Sequence, residues 1–241
     1  MTQFLDDPAR AAAVAATRAR IEPGMTIGLG SGRAVFALVD LLAASWPGPR
    51  PLRAVAASSR TEARARAAGI ELLDLNEDRT LDLAVDGADE VDPALNLLKG
   101  GGGALLREKL VIAAARHVVI VAESPKLVPH LGTTKGLPVE VVRFAWPTTR
   151  SRVLDLLPTA TLRPTPDGSP FVTDEGHHLL DCTLPATDLP TLATALKSTL
   201  GVVEHGLFTD QADEVLVGNP DGTVQTLHPD PYRLIRPERL K

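Results

Sequence analysis

Four successive glycines flanked by a lysine and a glutamate are the most chemically loaded feature of this sequence: Lys99-Gly100-Gly101-Gly102-Gly103-Ala-Leu-Leu-Arg107-Glu108-Lys109. Such a glycine run ordinarily marks a flexible linker. This one carries no Ser or Pro and lies between a short apolar segment and a helical pattern, which predicts a structured loop instead. Lys99 stands at the start of that loop and Glu108 in the first turns of the helix. Helical periodicity puts Leu106, Leu110 and Ala113 on one apolar stripe with Glu108 off it, so the pattern predicts an exposed carboxylate. Only six of the 25 basic residues are lysines, and three of them (Lys99, Lys109, Lys126) fall in this central stretch. A compact ammonium is not interchangeable with a guanidinium at a reacting centre.

Two further stretches suit anions and hydroxyl groups. Gly28-Leu-Gly30-Ser31-Gly32-Arg33-Ala34 joins a strand pattern to a helix pattern. Glycines let the backbone approach a ligand, and the N–H groups of a helix N-terminus suit an anion such as phosphate. A tight strand-to-helix turn with no ligand is the competing reading. The stretch is not the dinucleotide fingerprint, because the third glycine of GxGxxG falls at Arg33 and no Asp ends a second strand about 20 residues later. In Leu81-Asp-Leu-Ala-Val-Asp86-Gly87-Ala88-Asp89-Glu90-Val-Asp92 a buried strand ends in grouped carboxylates, which shift one another's pKa. A solvated acidic turn is the bland reading there, and sugar-hydroxyl contacts are favoured over a hard-metal site, whose EF-hand spacing is missed. The six histidines form no HExxH spacing, no GxSxG elbow is present, and Cys182 has no evident activating partner.

Positioning these residues requires strand ends to converge. An Ala-rich helix is expected over residues 8–21, after Asp6-Asp7-Pro8. Strands follow at 26–29, 52–57, 70–75, 81–85 and 118–122, alternating with helices from Gly30 to about Ala44, over 60–68 and over 104–116. This alternation predicts a doubly wound parallel sheet. Ligands of such sheets sit beyond the carboxyl ends of the strands, where Asp86 and Asp89 fall. From about Gly136 the texture changes. Strand 137–142, helix 149–157, short strands 161–163, 171–173 and 179–182, helix 188–200 and strand 202–205 make a β-α-β-β-α-β, ferredoxin-like pattern. Strands at 214–217 and 223–227 are expected to rejoin the first sheet.

Composition narrows the classes. Apolar residues make up 44% and charged residues 23%, ordinary values for a packed globular protein. Aromatics are only 3%, so the core must be built from Ala, Val, Leu and Ile, which suits buried parallel strands. A net charge of −5 disfavours nucleic acid and anionic membrane as partners. Cys182 is the only cysteine, which rules out an internal disulfide and points to a reducing compartment. The N-terminal stretch has no basic region before an apolar core, and no apolar run approaches the roughly 20 residues of a membrane helix. The expectation is a soluble cytoplasmic protein.

Taken in order, Gly28-Leu-Gly-Ser-Gly, Ser58-Ser-Arg-Thr61, Val85-Asp-Gly-Ala-Asp-Glu90, Lys99 to Lys109 and Leu137-Pro-Val-Glu-Val resemble the type A ribose-5-phosphate isomerases over most of the chain. The two central motifs, VDGADE and KGGGGALLREK, are highly specific to that family. The resemblance implies a Rossmann-like catalytic domain over residues 1–132 and 206–241, with a smaller ferredoxin-like α+β domain over 133–205. It also implies interconversion of ribose 5-phosphate and ribulose 5-phosphate in the non-oxidative pentose phosphate pathway, no metal or organic cofactor, and a homodimer or homotetramer. Carried over by residue, Glu108 would be the general base working through a cis-enediolate, and Lys99 would stabilise the oxyanion. Asp86 and Asp89 would hold the sugar hydroxyls and help open the ring, beside Gly87 and Ala88. Ser31, Gly32, Arg33, Ala34, Gly100, Gly101, Gly102 and Lys126 would line the rest of the substrate site, including its phosphate. One departure stands out: the family loop reads GTGST, whereas Arg33 and Ala34 replace its last two hydroxyls here. Arg33 either grips phosphate bidentately or points to solvent.

The chemistry is consistent with the residue types. Moving a proton between adjacent carbons needs a base over the C–H bond and a cation where negative charge collects, and Glu108 and Lys99 are of those types. The electrons only rearrange within the substrate, so no redox cofactor is required. A non-catalytic sugar-phosphate sensor of the same fold is the alternative, since fold does not fix function. A nucleotide-dependent dehydrogenase is disfavoured by the missing third glycine and ribose-binding acid.

Overall fold

The computed structural model describes residues 4–46, 51–76 and 80–230. Residues 1–3 of the N-terminal stretch lie outside the described residues. In chain order come α1 (Pro8–Arg18), β1 (Thr26–Leu29), α2 (Arg33–Ser45), β2 (Arg53–Ala56), α3 (Ser59–Ala67), β3 (Glu71–Leu72) and β4 (Leu83–Gly87). The short strands β5 (Glu90–Val91) and β6 (Leu97–Leu98) precede α4 (Leu105–Ala113) and β7 (Val118–Glu123). Next are β8 (Leu137–Val141), α5 (Trp146–Leu154), β9 (Thr161–Leu162), β10 (His178–Cys182), α6 (Leu189–Ser198) and β11 (Val202–His205). β12 (Leu207–Phe208), β13 (Glu214–Gly218) and β14 (Val224–Leu227) complete the order.

Two compact units result. The first takes the described residues up to Ala88, Arg107–Leu127, and those from Asp210 onward; the second takes Asp89–Leu106 and Val128–Thr209. These cuts differ from the 132/133 and 205/206 boundaries expected from sequence. The reason is local pairing: β5 and β6 pair with β12 in a small antiparallel sheet, and the Val128 N–H donates to Val91 O at 2.9 Å.

The first unit is a Rossmann-like sheet of order β14-β13-β7-β4-β1-β2-β3, parallel throughout except for β14. The chain moves outward from β1 to β2 and β3 on one side and through β4, β7 and β13 on the other. The topological switch point, where ligands bind in such sheets, therefore lies between β1 and β4. Every residue of β1, β7 and β13 is buried, as in a sheet covered on both faces. The helices start where local chemistry permits. Asp7 accepts the N–H groups of Ala9 and Arg10 ahead of α1, and Ser58 accepts the Thr61 N–H ahead of α3.

The second unit contains a four-stranded antiparallel sheet of order β11-β8-β10-β9 with α5 and α6 in the crossovers, the ferredoxin-like arrangement. Leu137, Val139, Val141, Leu180 and Cys182 pack with Val153, Leu157, Leu192 and Leu196 of the helical layer. Strand alternation turns Pro138, Glu140, Leu179 and Asp181 to the opposite face. The strand expected at 171–173 is not formed. Pro164 and Pro170 meet there in a single bridge, and the Thr173 and Gly176 N–H groups close a turn instead. No helix among the described residues is long and apolar enough to cross a membrane.

Candidate active site

At the carboxyl end of β1 the chain turns through Gly30, Ser31 and Gly32 into α2. Gly32 caps that helix at φ +96°, and no side chain caps its first turn, which leaves the geometry that favours an anion. Asp86, at the end of neighbouring β4, is buried, and its Oδ1 accepts the N–H of Ser31 at 3.1 Å and of Gly87 at 2.7 Å. Position 30 must be glycine because a Cβ there would fall on the Asp86 carboxyl group. Two expected residues, Ser31 and Asp86, are thus brought together.

Ser31 is further held by Ser58 and Thr61, whose place in the Ser58–Thr61 motif gives no sign of this contact. Its Oγ lies 3.0 Å from Ser58 Oγ, which lies 2.9 Å from Thr61 Oγ1; Thr61 in turn donates to Gly30 O at 2.8 Å. This chain of hydroxyls ties the β1–α2 turn to the start of α3. Arg33 is exposed at the first position of α2, whereas Ala34 is buried in the core and offers the site only its backbone. Lys126 follows β7 with its ammonium 2.7 Å from Glu123, whose other oxygen accepts from Arg10 Nε at 2.7 Å. Burial alone would raise the Glu123 carboxyl, but Lys126 and then Arg10 draw it below its ordinary value.

Glu108 departs from the sequence expectation. It is 5% exposed, whereas Leu110 is 54% exposed and Ala113 is on the surface. The buried side of α4 is Leu105, Glu108, Val111, Ile112 and, past its end, Ala115. The buried face of α4 is therefore not the one that residue types alone predict, and a carboxylate lies on it. Burying an ionisable group is costly, which makes the position a candidate site residue.

In the second unit Lys99 is buried, with Nζ 5.4 Å from the centre of the Phe208 ring and its N–H donated to Gly206 O at 2.9 Å. The glycine run is a structured turn, as expected. Gly100 (φ +100°) and Gly103 (φ +82°) adopt left-handed conformations open to glycine, and the Gly103 N–H closes onto Gly100 O at 3.0 Å. Asp89 accepts the Gly101 N–H at 2.8 Å, so these two expected residues also meet. Gly101 and Gly102 are exposed, Gly87 is half-buried, and Ala88 is buried.

Glu90, not among the expected site residues, is a structural anchor. Its buried carboxylate accepts the Gly132 N–H at 2.6 Å, the Lys135 N–H at 2.8 Å, the Thr134 hydroxyl at 2.7 Å and the Thr134 N–H. Burial pushes that carboxyl up, but these donors outweigh it and leave it below its ordinary value. Elsewhere His177 Nδ1 lies 2.9 Å from Glu140 and His178 Nδ1 lies 2.9 Å from Phe171 O. Burial pushes the Cys182 thiol to about 12, so it supplies no thiolate at neutral pH.

The chain matches the family described as ribose 5-phosphate isomerase A (phosphoriboisomerase A) over residues 53–222. It is 47% identical to the ribose-5-phosphate isomerase A of Synechococcus sp. (strain JA-3-3Ab) over 224 residues, covering 92% of this chain and 97% of that one. The Caulobacter vibrioides (strain NA1000 / CB15N) protein of the same description is 46% identical, covering 91% and 97%. Among solved structures, ribose 5-phosphate isomerase from Plasmodium falciparum superposes with a TM-score of 0.85 at 34% identity, covering 92% of this chain and 98% of that one. With two thirds of the chain inside the family match and near-complete coverage of its relatives, this protein belongs to the ribose 5-phosphate isomerase A family.

Proposed function

We propose that the chain interconverts D-ribose 5-phosphate and D-ribulose 5-phosphate through a cis-enediolate. Glu108 takes the proton from C2 of the open-chain aldose and returns it to C1, so one carboxylate serves both half-reactions. Lys99 stabilises the negative charge that collects on the oxygens, a contribution of about 3–4 kcal/mol for one well-placed donor. Asp86 and Asp89 hold the sugar hydroxyls and assist ring opening. Ser31, Gly32, Arg33, Ala34 and Lys126 receive the phosphate, which lets remote binding energy position the reacting carbons. The glycines Gly100–Gly102 offer backbone N–H groups to the sugar. The observation that carries this reading is the buried Glu108 on the apolar stripe of α4, in the same motif as the buried Lys99. Family membership supports it independently.

Conversion of ribose 5-phosphate in EDTA by wild type and Glu108→Gln tests the proposal. A loss of about 10²-fold or more in the variant is expected for a positioned base. A wild type that binds the sugar phosphate without converting it would favour the sensor reading instead.

We also assign the protein to the cytoplasm, in keeping with its single buried cysteine, and to a homodimer or homotetramer. In the second unit Phe144 is 89% and Leu200 is 75% exposed, and the Val142 N–H bonded to Gly201 O brings their segments together. We take these exposed apolar side chains as the candidate association surface. Sedimentation should show wild-type oligomers and a smaller species for Phe144→Asp; unchanged sedimentation would move the interface elsewhere.

A further inference from the structure

A run of four glycines has no preferred backbone conformation, so something outside it must decide which way its peptide groups face. Arg163, just past β9, does this. Its Nη1 donates to Gly100 O at 3.0 Å and to Gly101 O at 3.1 Å. Its Nε and Nη2 fork onto the Asp181 carboxylate of β10, at 2.9 Å for Nε, so four of the five guanidinium donors are engaged. The guanidinium also lies 5.9 Å from the Phe171 ring centre, and that ring fills the space a side chain at Gly103 would need. The side chain is 14% exposed.

Peptide planarity makes these two bonds consequential. In a trans peptide C=O and N–H point opposite ways. Drawing Gly100 O to Arg163 turns the Gly101 N–H away from it, and that N–H is the one donated to Asp89 at 2.8 Å. Drawing Gly101 O likewise turns the Gly102 N–H away, at a residue whose surroundings are open. We infer that Arg163, braced by Asp181, is a positioning residue. It selects one orientation of the Gly100–Gly102 peptides and so sets both the Asp89 carboxylate and the Gly102 N–H for the sugar. The part concerning the sugar rests on the proposed isomerase reading; the part concerning the loop does not.

Arg163→Met, Arg163→Lys and Asp181→Asn, compared with wild type, test the inference in two ways. The first is steady-state kinetics on ribose 5-phosphate. A loop displaced at the reacting end while the phosphate stays gripped should cost roughly 10- to 100-fold in kcat, with KM changed by less than about threefold. The second is amide hydrogen exchange. The Gly101 N–H should exchange at least about tenfold faster in Arg163→Met, while the amides of the β8–β10 ladder keep their wild-type protection. If Arg163→Met does not fold, Arg163→Lys decides, since lysine keeps the stem and charge but cannot fork onto Asp181 and reach both carbonyls. Unchanged Gly101 exchange, or acceleration shared equally by the β8–β10 amides, would overturn the clamp and leave Arg163 a stability residue. Wild-type kcat in all three variants would overturn its role in the reaction. An inactive wild type would sink the isomerase reading while the exchange comparison still decides the clamp.

Discussion

Asp86 sits where it does because residue 30 has no side chain. The Gly30 N–H is bonded to Val85 O at 2.9 Å and its carbonyl accepts from Thr61, so the backbone there cannot retreat. A methyl group at Gly30 would fall on the Asp86 carboxyl and force it to swing, breaking its bond to Ser31. Gly30→Ala should therefore lower kcat on ribose 5-phosphate by roughly 10²-fold, the scale of an ångström-sized misplacement. Overpacking adds about 1–3 kcal/mol of destabilisation. Activity within twofold of wild type would remove Asp86 from the chemistry. At this scale the sequence displayed the reactive types, Asp86, Lys99 and Glu108, but not what holds them. Ser31 meets Ser58 from 27 residues away, and Glu90 gathers donors 42 to 45 residues distant. Residue spacing along the chain carries no signal for such bonds.

The elements were legible in proportion to how much apolar sequence each contains. β1, β7 and β13 are continuous buried runs, and each was placed to within a residue. β5, β6 and β12 have two residues apiece, too few for any periodicity to register, so the sequence gives no sign that they pair with one another. α4 failed for a different reason. Periodicity weighs residue types, so it preferred Leu110 to Glu108 as a core position, while the fold buries the glutamate and exposes the leucine. Such a break of a local rule is what the proposed role of Glu108 would require. A second constraint invisible to periodicity is the approach of α1 to β13. A Cβ on Gly218 would fall on the carbonyl group of Ala9, backbone on backbone, with no flexible side chain able to yield. Gly218→Ala should cost about 1–3 kcal/mol or more and lower Tm by several degrees in calorimetry. A Tm within a degree of wild type would mean that α1 moves freely on the sheet.

Three buried carboxylates tie the stability of the whole chain to pH. Glu123 is held below its ordinary value by Lys126 and Arg10 despite burial; Glu214 by its hydrogen bonds to Arg20; and Glu90 by the Thr134, Gly132 and Lys135 donors despite burial. A depressed folded-state pKa means that the unfolded chain binds the proton first. The stabilisation is therefore fully present above the ordinary value of 4.5 and is lost as pH falls through the lower folded value. Each net proton contributes a slope of about 1.4 kcal/mol per pH unit. Glu140 runs the other way. Burial raises its carboxyl against the opposing bonds from His177 and Thr173, with Glu175 adding like charge, so its ionisation becomes a cost as pH rises above 4.5. The two signs separate cleanly in variants. Glu90→Gln should lose about 1.5–3 kcal/mol at pH 7, as expected for bonds to a charged group, and that deficit should shrink as pH drops from about 4.5 toward 3. Glu140→Gln should instead gain on wild type as pH rises from about 4.5. Urea midpoints across this range measure both. A Glu90→Gln deficit constant from pH 7 to 3 would show that the carboxylate charge does not hold the 132–135 loop, and would leave only the neutral hydrogen bonds to do so.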